Sequence, residues 1–270
     1  MDRPPWAPRG IAVAMPSVSR MHDYYLGGSY NFEVDRQAAR RAMEFVPGLP
    51  KIAQAGHAFT RRAVRFAVSE GVTQFLDVGS GIPSFGTVHE TARQASDKAR
   101  VVYVDHDPVA VTHTQNVLRD ATAAGVARAD LRKPRDVLTC EPVGRLLDVT
   151  RPVALLLVAV LHHLEDADRP HEAVTELRDA MAPGSLLILT HASYEGIPVP
   201  AEQVGGVVDV YQSIRSPLIM RSRDEIARFF EGYDMVEPGL VPMPLWRPET
   251  APEDEDLFAF SGFAGVGRRA

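Results

Sequence analysis

The sequence predicts an α/β fold, a doubly wound, mostly parallel sheet of seven strands with a helical extension in front of it. Three observations carry that prediction. From Phe75 onward short apolar runs alternate with helical segments, the pattern of βαβ units. Val153 to Leu161 is almost wholly apolar, as expected of a central strand covered on both faces. Phe75-Leu76-Asp77-Val78-Gly79-Ser80-Gly81 reads as a buried strand running into a glycine turn, with a carboxylate ahead of the first glycine.

Residues 1–16 are proline-rich and aperiodic and read as a disordered tail. Residues 17–71 read as a helical cap, interrupted at Gly27-Gly28 and at Pro47-Gly48-Leu49-Pro50. In its last helix Ile52, Ala55, Phe59, Ala63, Phe66 and Ala67 recur at helical spacing, and Gly71 supplies an end signal. Residues 72–270 then form the sheet domain. Its strands are expected near 74–79, 100–105, 126–129, 153–160 and 185–191, with helices near 86–95, 108–124, 134–147 and 170–181. Ser222-Arg223-Asp224-Glu225 has the form of a capping box, so a helix starts there. Two last strands, near 234–241 and 257–264, are separated by a loop whose Glu253-Asp254-Glu255-Asp256 run reads as a solvated tip.

The glycine turn with Asp77 separates two cofactor classes. A dinucleotide site holds an anionic pyrophosphate over a third glycine, where this chain has Ser84. Asp77 repels a pyrophosphate and attracts the ammonium and sulfonium of S-adenosylmethionine (SAM). Asp105 and Asp107 end the next strand, Arg100-Val101-Val102-Tyr103-Val104, at the place where a carboxylate reaches a ribose hydroxyl. Asp107, just before Pro108, also has the form of a helix N-cap.

Bulk composition narrows the partners. The chain has 270 residues, 45% of them hydrophobic, enough for a sizeable core, and a formal net charge of -6, which is not the basic footprint of a nucleic-acid binder. Its one cysteine, Cys140, excludes an internal disulfide and a cysteine-built zinc site, and lies beside Glu141, which disfavours a thiolate nucleophile. The start has no signal-peptide core, and no apolar run approaches a membrane span, so a cytoplasmic protein with no membrane partner is expected.

The motifs taken together resemble a known family. Ser17-Val18-Ser19-Arg20-Met21-His22-Asp23-Tyr24-Tyr25-Leu26-Gly27-Gly28, Asn31-Phe32, Asp35-Arg36, the Phe75 to Pro83 stretch, Tyr103 to Pro108 and Ala154 to His162 look like the actinobacterial SAM-dependent methyltransferase family once listed as a domain of unknown function. That resemblance implies a class I, Rossmann-like methyltransferase whose last strand is antiparallel. It implies that Asp77, Gly79 and Gly81 line the methionine end of SAM, that Asp105 takes the ribose hydroxyls and that Asp130 accepts from the adenine amino group. Val158, with Ala159 and Val160, would close the far side of the pocket, and His162 would stand at its mouth.

Each assignment has a plainer alternative. Asp130 can start a turn into Pro134. His162 and His163, if adjacent on an extended strand, point to opposite faces and cannot share a metal, so no metal is expected, and His162 is the candidate general base. His191 ends the following strand at the same edge. The segment Arg20 to Tyr30 reads either as a lid hinged at Gly27-Gly28 or as helices docked on the sheet edge. As a lid it would pair Arg20 with the methionine carboxylate and cover the sulfonium with Tyr24 or Tyr25. The insert at about 192–221, with Tyr194, Tyr211 and Arg215, is too short for a polymer track, and the acidic balance without an appended recognition domain makes a small-molecule acceptor the expectation. A SAM-binding protein without turnover and an NAD-dependent oxidoreductase are the rival readings.

Overall fold

The computed structural model describes residues 14–83, 86–195, 200–214, 216–251 and 262–270. Ser84, Arg215, the run Glu253 to Asp256 and most of the expected tail lie outside the described residues.

The sheet is built from β1 (Gln74–Val78), β2 (Arg100–Asp105), β3 (Ala124–Arg128), β4 (Ala154–Leu157), β5 (Leu186–Ala192), β6 (Tyr233–Met235), β7 (Val241–Pro242) and β8 (Gly262–Arg269). Its order is β3-β2-β1-β4-β5-β8-β6, with β7 also paired to β8. The first five strands run parallel, and β8 pairs antiparallel with β5, β6 and β7. The strand order reverses between β1 and β4, and the crevice outside their C-terminal ends is where ligands of open α/β sheets bind. Eight strands replace the expected seven because the 234–241 run splits at Pro238-Gly239, where proline removes a ladder donor and Gly239 takes φ 87°.

Two layers cover the sheet. Alternate strand residues face opposite sides. Leu76, Val78, Val102, Val104, Leu155 and Leu157 pack one way, among Val137, Val143, Leu177 and Ile226 of α6 (Pro134–Leu138), α7 (Glu141–Leu146), α8 (Pro170–Asp179) and α10 (Arg223–Ala227). Phe75, Val101, Tyr103, Leu156 and Ile188 pack the other way, against Phe59, Ala63 and Val64 of α3 (Leu49–Ser69) and Val88 and Ala92 of α4 (Val88–Ala95). Pro142 fits only a first helical turn, which is why the expected 134–147 helix divides into α6 and α7. Helix α10 begins at Ser222, whose hydroxyl accepts from the Glu225 N–H as the capping box requires.

The expected strand 153–160 ends early. Ala159 has φ 53°, outside the extended region, and its N–H donates to Thr190 Oγ1 at 2.9 Å instead of a strand neighbour. Leu161–His163 then forms a single 3₁₀ turn. The two histidines are therefore not on a strand, and the expectation that their side chains point to opposite faces is corrected: their rings lie 4.4 Å apart.

A third apolar cluster joins α1 (Val18–Tyr25) and α2 (Glu33–Phe45) to α9 (Ala201–Ser213) through Met21, Tyr25, Ala39, Val46, Val207 and Tyr211. Of these, α1 and α9 reach the crevice. Among the described residues no helix is long and apolar enough to cross a membrane.

Candidate functional site

The floor of the site is the turn after β1. Gly79 and Gly81 have φ 76° and 66°, values that side chains rarely adopt. A Cβ on Gly79 would also stand 2.4 Å from Val160 Cγ2, so this turn needs glycine for both conformation and space. Gly79→Ala is expected to lower the melting temperature by several degrees, since left-handed strain and overpacking together cost about 2–4 kcal/mol. Thermal denaturation beside the wild type checks this.

Asp105 ties this turn to the next one. It is buried, and its carboxylate accepts from the Gly81 N–H and the Asp107 N–H, each at 2.8 Å. Asp107 caps α5 (Pro108–Val117) by accepting from the Val109 N–H at 2.8 Å. Its other oxygen takes the Ser17 hydroxyl and faces Arg20 Nη1 at 3.6 Å.

Asp77 differs from these. It is 8% exposed, and its carboxyl has no hydrogen-bond partner among the described residues. Burial, and then the neighbouring Asp105 charge, push its pKa up to about 7. Asp105 is also raised, by burial first. Ser80 Oγ, on the same turn, is buried with no partner among the described residues. Two polar groups thus remain unmatched where the turn meets the crevice.

The crevice holds a cavity of about 210 Å³. Asp77, the 79–83 turn and Val158 form its floor, α1 and α3 its roof through His22, Tyr25, His57 and Thr60, and Tyr211, Leu218 and Met220 its far wall. Five of the nine histidines of the chain, His22, His57, His162, His163 and His191, line it. Burial holds all five neutral, with pKa values lowered to about 3 for His22 and His191, about 4 for His57 and His163, and well below the usual range for His162. Among the described residues no three metal-binding side chains converge on one point.

Backbone partners set the neutral form of three rings. The Ala192 N–H donates to His162 Nδ1 at 3.3 Å, so that nitrogen holds the lone pair and Nε2 the proton. In that form His162 offers the cavity a donor. His163 Nδ1 stands 2.9 Å from the Pro217 carbonyl, which can only accept, so its lone pair is on Nε2. His191 donates from Nδ1 to the Ala192 carbonyl at 2.7 Å and accepts from Arg221 Nη1 at 2.9 Å, leaving neither nitrogen for a ligand. Arg221 itself is buried, pairs with Asp166 at 2.6 Å and donates to the Leu164 carbonyl, so it holds the 161–164 turn against β5.

Four sequence expectations are placed elsewhere. Asp105 is buried behind the cavity wall, its two carboxylate oxygens taken by the Gly81 and Asp107 N–H groups. Arg20 is 4% exposed and bonds Asp35 at 2.8 Å through Nε, with Asp107 beside it, so its guanidinium is held by two carboxylates and is absent from the cavity wall. It clamps α1 to α2 and α5. Tyr24 packs in the α1–α2–α9 cluster instead of the cavity, and Tyr25, one residue on, lines it with its hydroxyl 3.3 Å from that of Tyr211. Asp130 lies outside the cavity wall, gripped by Arg132 at 2.6 Å through Nη2. The residues missed from sequence, His22 and His57, sit on two separate helices, and Tyr211 of the expected insert meets them from a third. His57 shares a helical face with Ala53 and Thr60, but only helix docking turns that face to the crevice.

A doubly wound sheet whose first strand carries a buried carboxylate just ahead of a turn with two left-handed glycines, under a roof of helices, is the architecture of the class I SAM-dependent methyltransferases. The chain belongs to the S-adenosyl methyltransferase family, whose model matches residues 4–270. It is similar to a candidate methyltransferase from Thermobifida fusca YX, at 36% identity and a TM-score of 0.92 over 98% of this chain and 99% of that one. It is similar also to a DUF574 family protein from Streptomyces avermitilis MA-4680, at 32% identity and a TM-score of 0.90 over 96% and 99% of the two chains. A search of curated proteins finds no match. The protein is a SAM-dependent methyltransferase, and its cofactor is SAM.

Proposed function

We propose that the protein methylates a small-molecule acceptor inside the roofed crevice, with SAM held by Asp77, Gly79, Gly81, Asp105 and Val158. The observation that carries this reading is the buried Asp77 carboxyl, which has no hydrogen-bond partner among the described residues, a site for a cationic group. The unpartnered Ser80 Oγ beside it fits the same group, and the backbone around Gly81 leaves open space where a Cβ would project. Bound SAM supplies an electrophilic methyl group for an in-line displacement and leaves as S-adenosylhomocysteine (SAH). Asp77 neutralises the cationic end of the cofactor, Asp105 orders the turn that meets the sugar, and the apolar walls exclude water. Residues 17–71 act as the cap and 72–270 as the methyltransferase domain in this reading. Arg20 and Tyr24 serve the cap by anchoring it, and Asp130 reaches the adenine only after releasing Arg132. The roofed, apolar wall favours a small acceptor over nucleic acid.

Isothermal titration with SAM, SAH and NADH tests the reading. Micromolar binding of the first two and none of NADH is expected. Binding of NADH alone, or of nothing by a folded protein, would overturn it. SAM binding with no turnover across a broad acceptor screen would favour a protein that uses SAM without catalysis.

A further inference from the structure

The end of the cavity at the Leu161–His163 turn has a chemistry of its own. His162 presents Nε2–H, a donor, and His163 presents a bare Nε2, an acceptor, on rings 4.4 Å apart. Among the described residues neither Nε2 has a hydrogen-bond partner. Leu49, Ile52, Leu218 and Met220 share the wall, the Tyr211 ring lies nearly parallel to His163 at 5.7 Å, and the other polar neighbours are the neutral rings of His22 and His191. No lysine or arginine stands among the described residues of the wall. SAM carries a single net positive charge, which Asp77 balances, so nothing in the wall remains to hold an anionic acceptor and no second carboxylate to hold a cationic one.

We infer that this end binds a neutral, largely apolar acceptor through a hydroxyl, with His162 Nε2–H donating to its oxygen and His163 Nε2 taking its proton as general base. The inference rests on the methyl-transfer reading. A hydroxyl has one proton and two lone pairs, which match the three demands of the site: one lone pair accepts from His162, the other attacks, and the proton goes to His163. A primary or secondary amine has a single lone pair and cannot both accept from His162 and attack. In the step itself the acceptor oxygen bonds to the methyl carbon while the carbon–sulfur bond breaks and its electron pair stays on sulfur. The hydroxyl proton passes to His163 Nε2 and from there to water. Burial makes His163 a weak base, so its proton transfer accompanies carbon–oxygen bond formation, when the oxygen becomes strongly acidic. His162 orients the oxygen and Arg221 positions both rings through the turn.

The SAH complex is titrated with 1-naphthol, 1-methoxynaphthalene and 1-naphthoate, which differ in offering a neutral hydroxyl, no donor and an anion. At least about tenfold tighter binding of 1-naphthol than of the other two is expected, the cost of one unmatched buried polar group and one uncompensated charge. His163→Phe keeps a ring on Tyr211 and removes Nε2. It should bind 1-naphthol and 1-methoxynaphthalene alike while leaving SAH affinity within about twofold. In histidine-labelled protein at pH 7, ¹⁵N spectra should show a bare Nε2 on His163 and a protonated one on His162. Equal binding or no binding of the naphthol, discrimination that survives His163→Phe, or the opposite tautomers would each overturn the inference. A folded protein that does not bind SAM overturns the methyl-transfer reading itself, so the two failures are told apart by titrating SAM first.

Discussion

Lowering the pH from 7.5 to 5.5 is expected to remove most of the stability of the ligand-free protein. Five cavity histidines are neutral in the folded state, with pKa values below their unfolded value near 6.5. Their contribution is therefore complete above pH 6.5 and is lost as the pH falls toward their folded values, because the unfolded chain takes up protons that the folded one refuses. Each costs about 1.4 kcal/mol at pH 5.5, or about 7 kcal/mol for the set. Asp77 works the other way. Its folded pKa of about 7 lies above its unfolded value, so folding gains as the pH falls through 7, by about 2 kcal/mol at pH 5.5. The net loss of about 5 kcal/mol is comparable with the whole stability of a marginal domain. Urea titrations at pH 7.5, 6.5 and 5.5 measure it, and replacing His22 and His57 by glutamine should reduce the fall. Equal midpoints at the three values would show that the cavity wall is hydrated enough to protonate freely.

The second large effect belongs to Asp77→Asn. Asparagine keeps the shape and removes the charge, so SAM binding at pH 8 should weaken by at least about thirtyfold, equivalent to about 2 kcal/mol. The wild type should bind SAM more tightly as the pH rises through about 7, where the carboxyl ionises, and the variant should lose that dependence. Ligand-free stability should move oppositely. The raised pKa of Asp77 means its stabilising contribution is present at acid pH and lost as the pH rises through about 7, so above pH 7 the neutral asparagine should raise the melting temperature. A substitution that strengthens the fold while weakening the ligand marks a residue kept for binding. If Asp77→Asn leaves both SAM affinity and its pH dependence unchanged, Asp77 does not meet the cofactor.

The elements that were legible in the sequence are those set by neighbours along the chain. Strand β1, its glycine turn, the Asp107 cap and the Ser222 capping box depend on residues within a few positions of one another. Strand β4 ends sooner than the apolar run 153–160, because apolar character alone does not reveal that Ala159 turns left-handed. Helix 134–147 was read as one because its periodicity survives the break at Pro142.

The parallel strands and the place of Asp77 just ahead of the Gly79–Gly81 turn were determined by the sequence alone, since side-chain period and turn chemistry are local. The cavity was decided by tertiary structure. His22, His57, His163 and Tyr211 come from α1, α3, the turn after β4 and α9, and they meet only when those elements dock on the sheet edge. The same docking took Arg20 into an ion pair with Asp35, a residue its own segment could not nominate as the winner over a ligand carboxylate. The tautomers of His162 and His163 were chosen by single backbone groups of Ala192 and Pro217, more than 25 residues away in the chain, because a neutral imidazole places its proton where an acceptor waits.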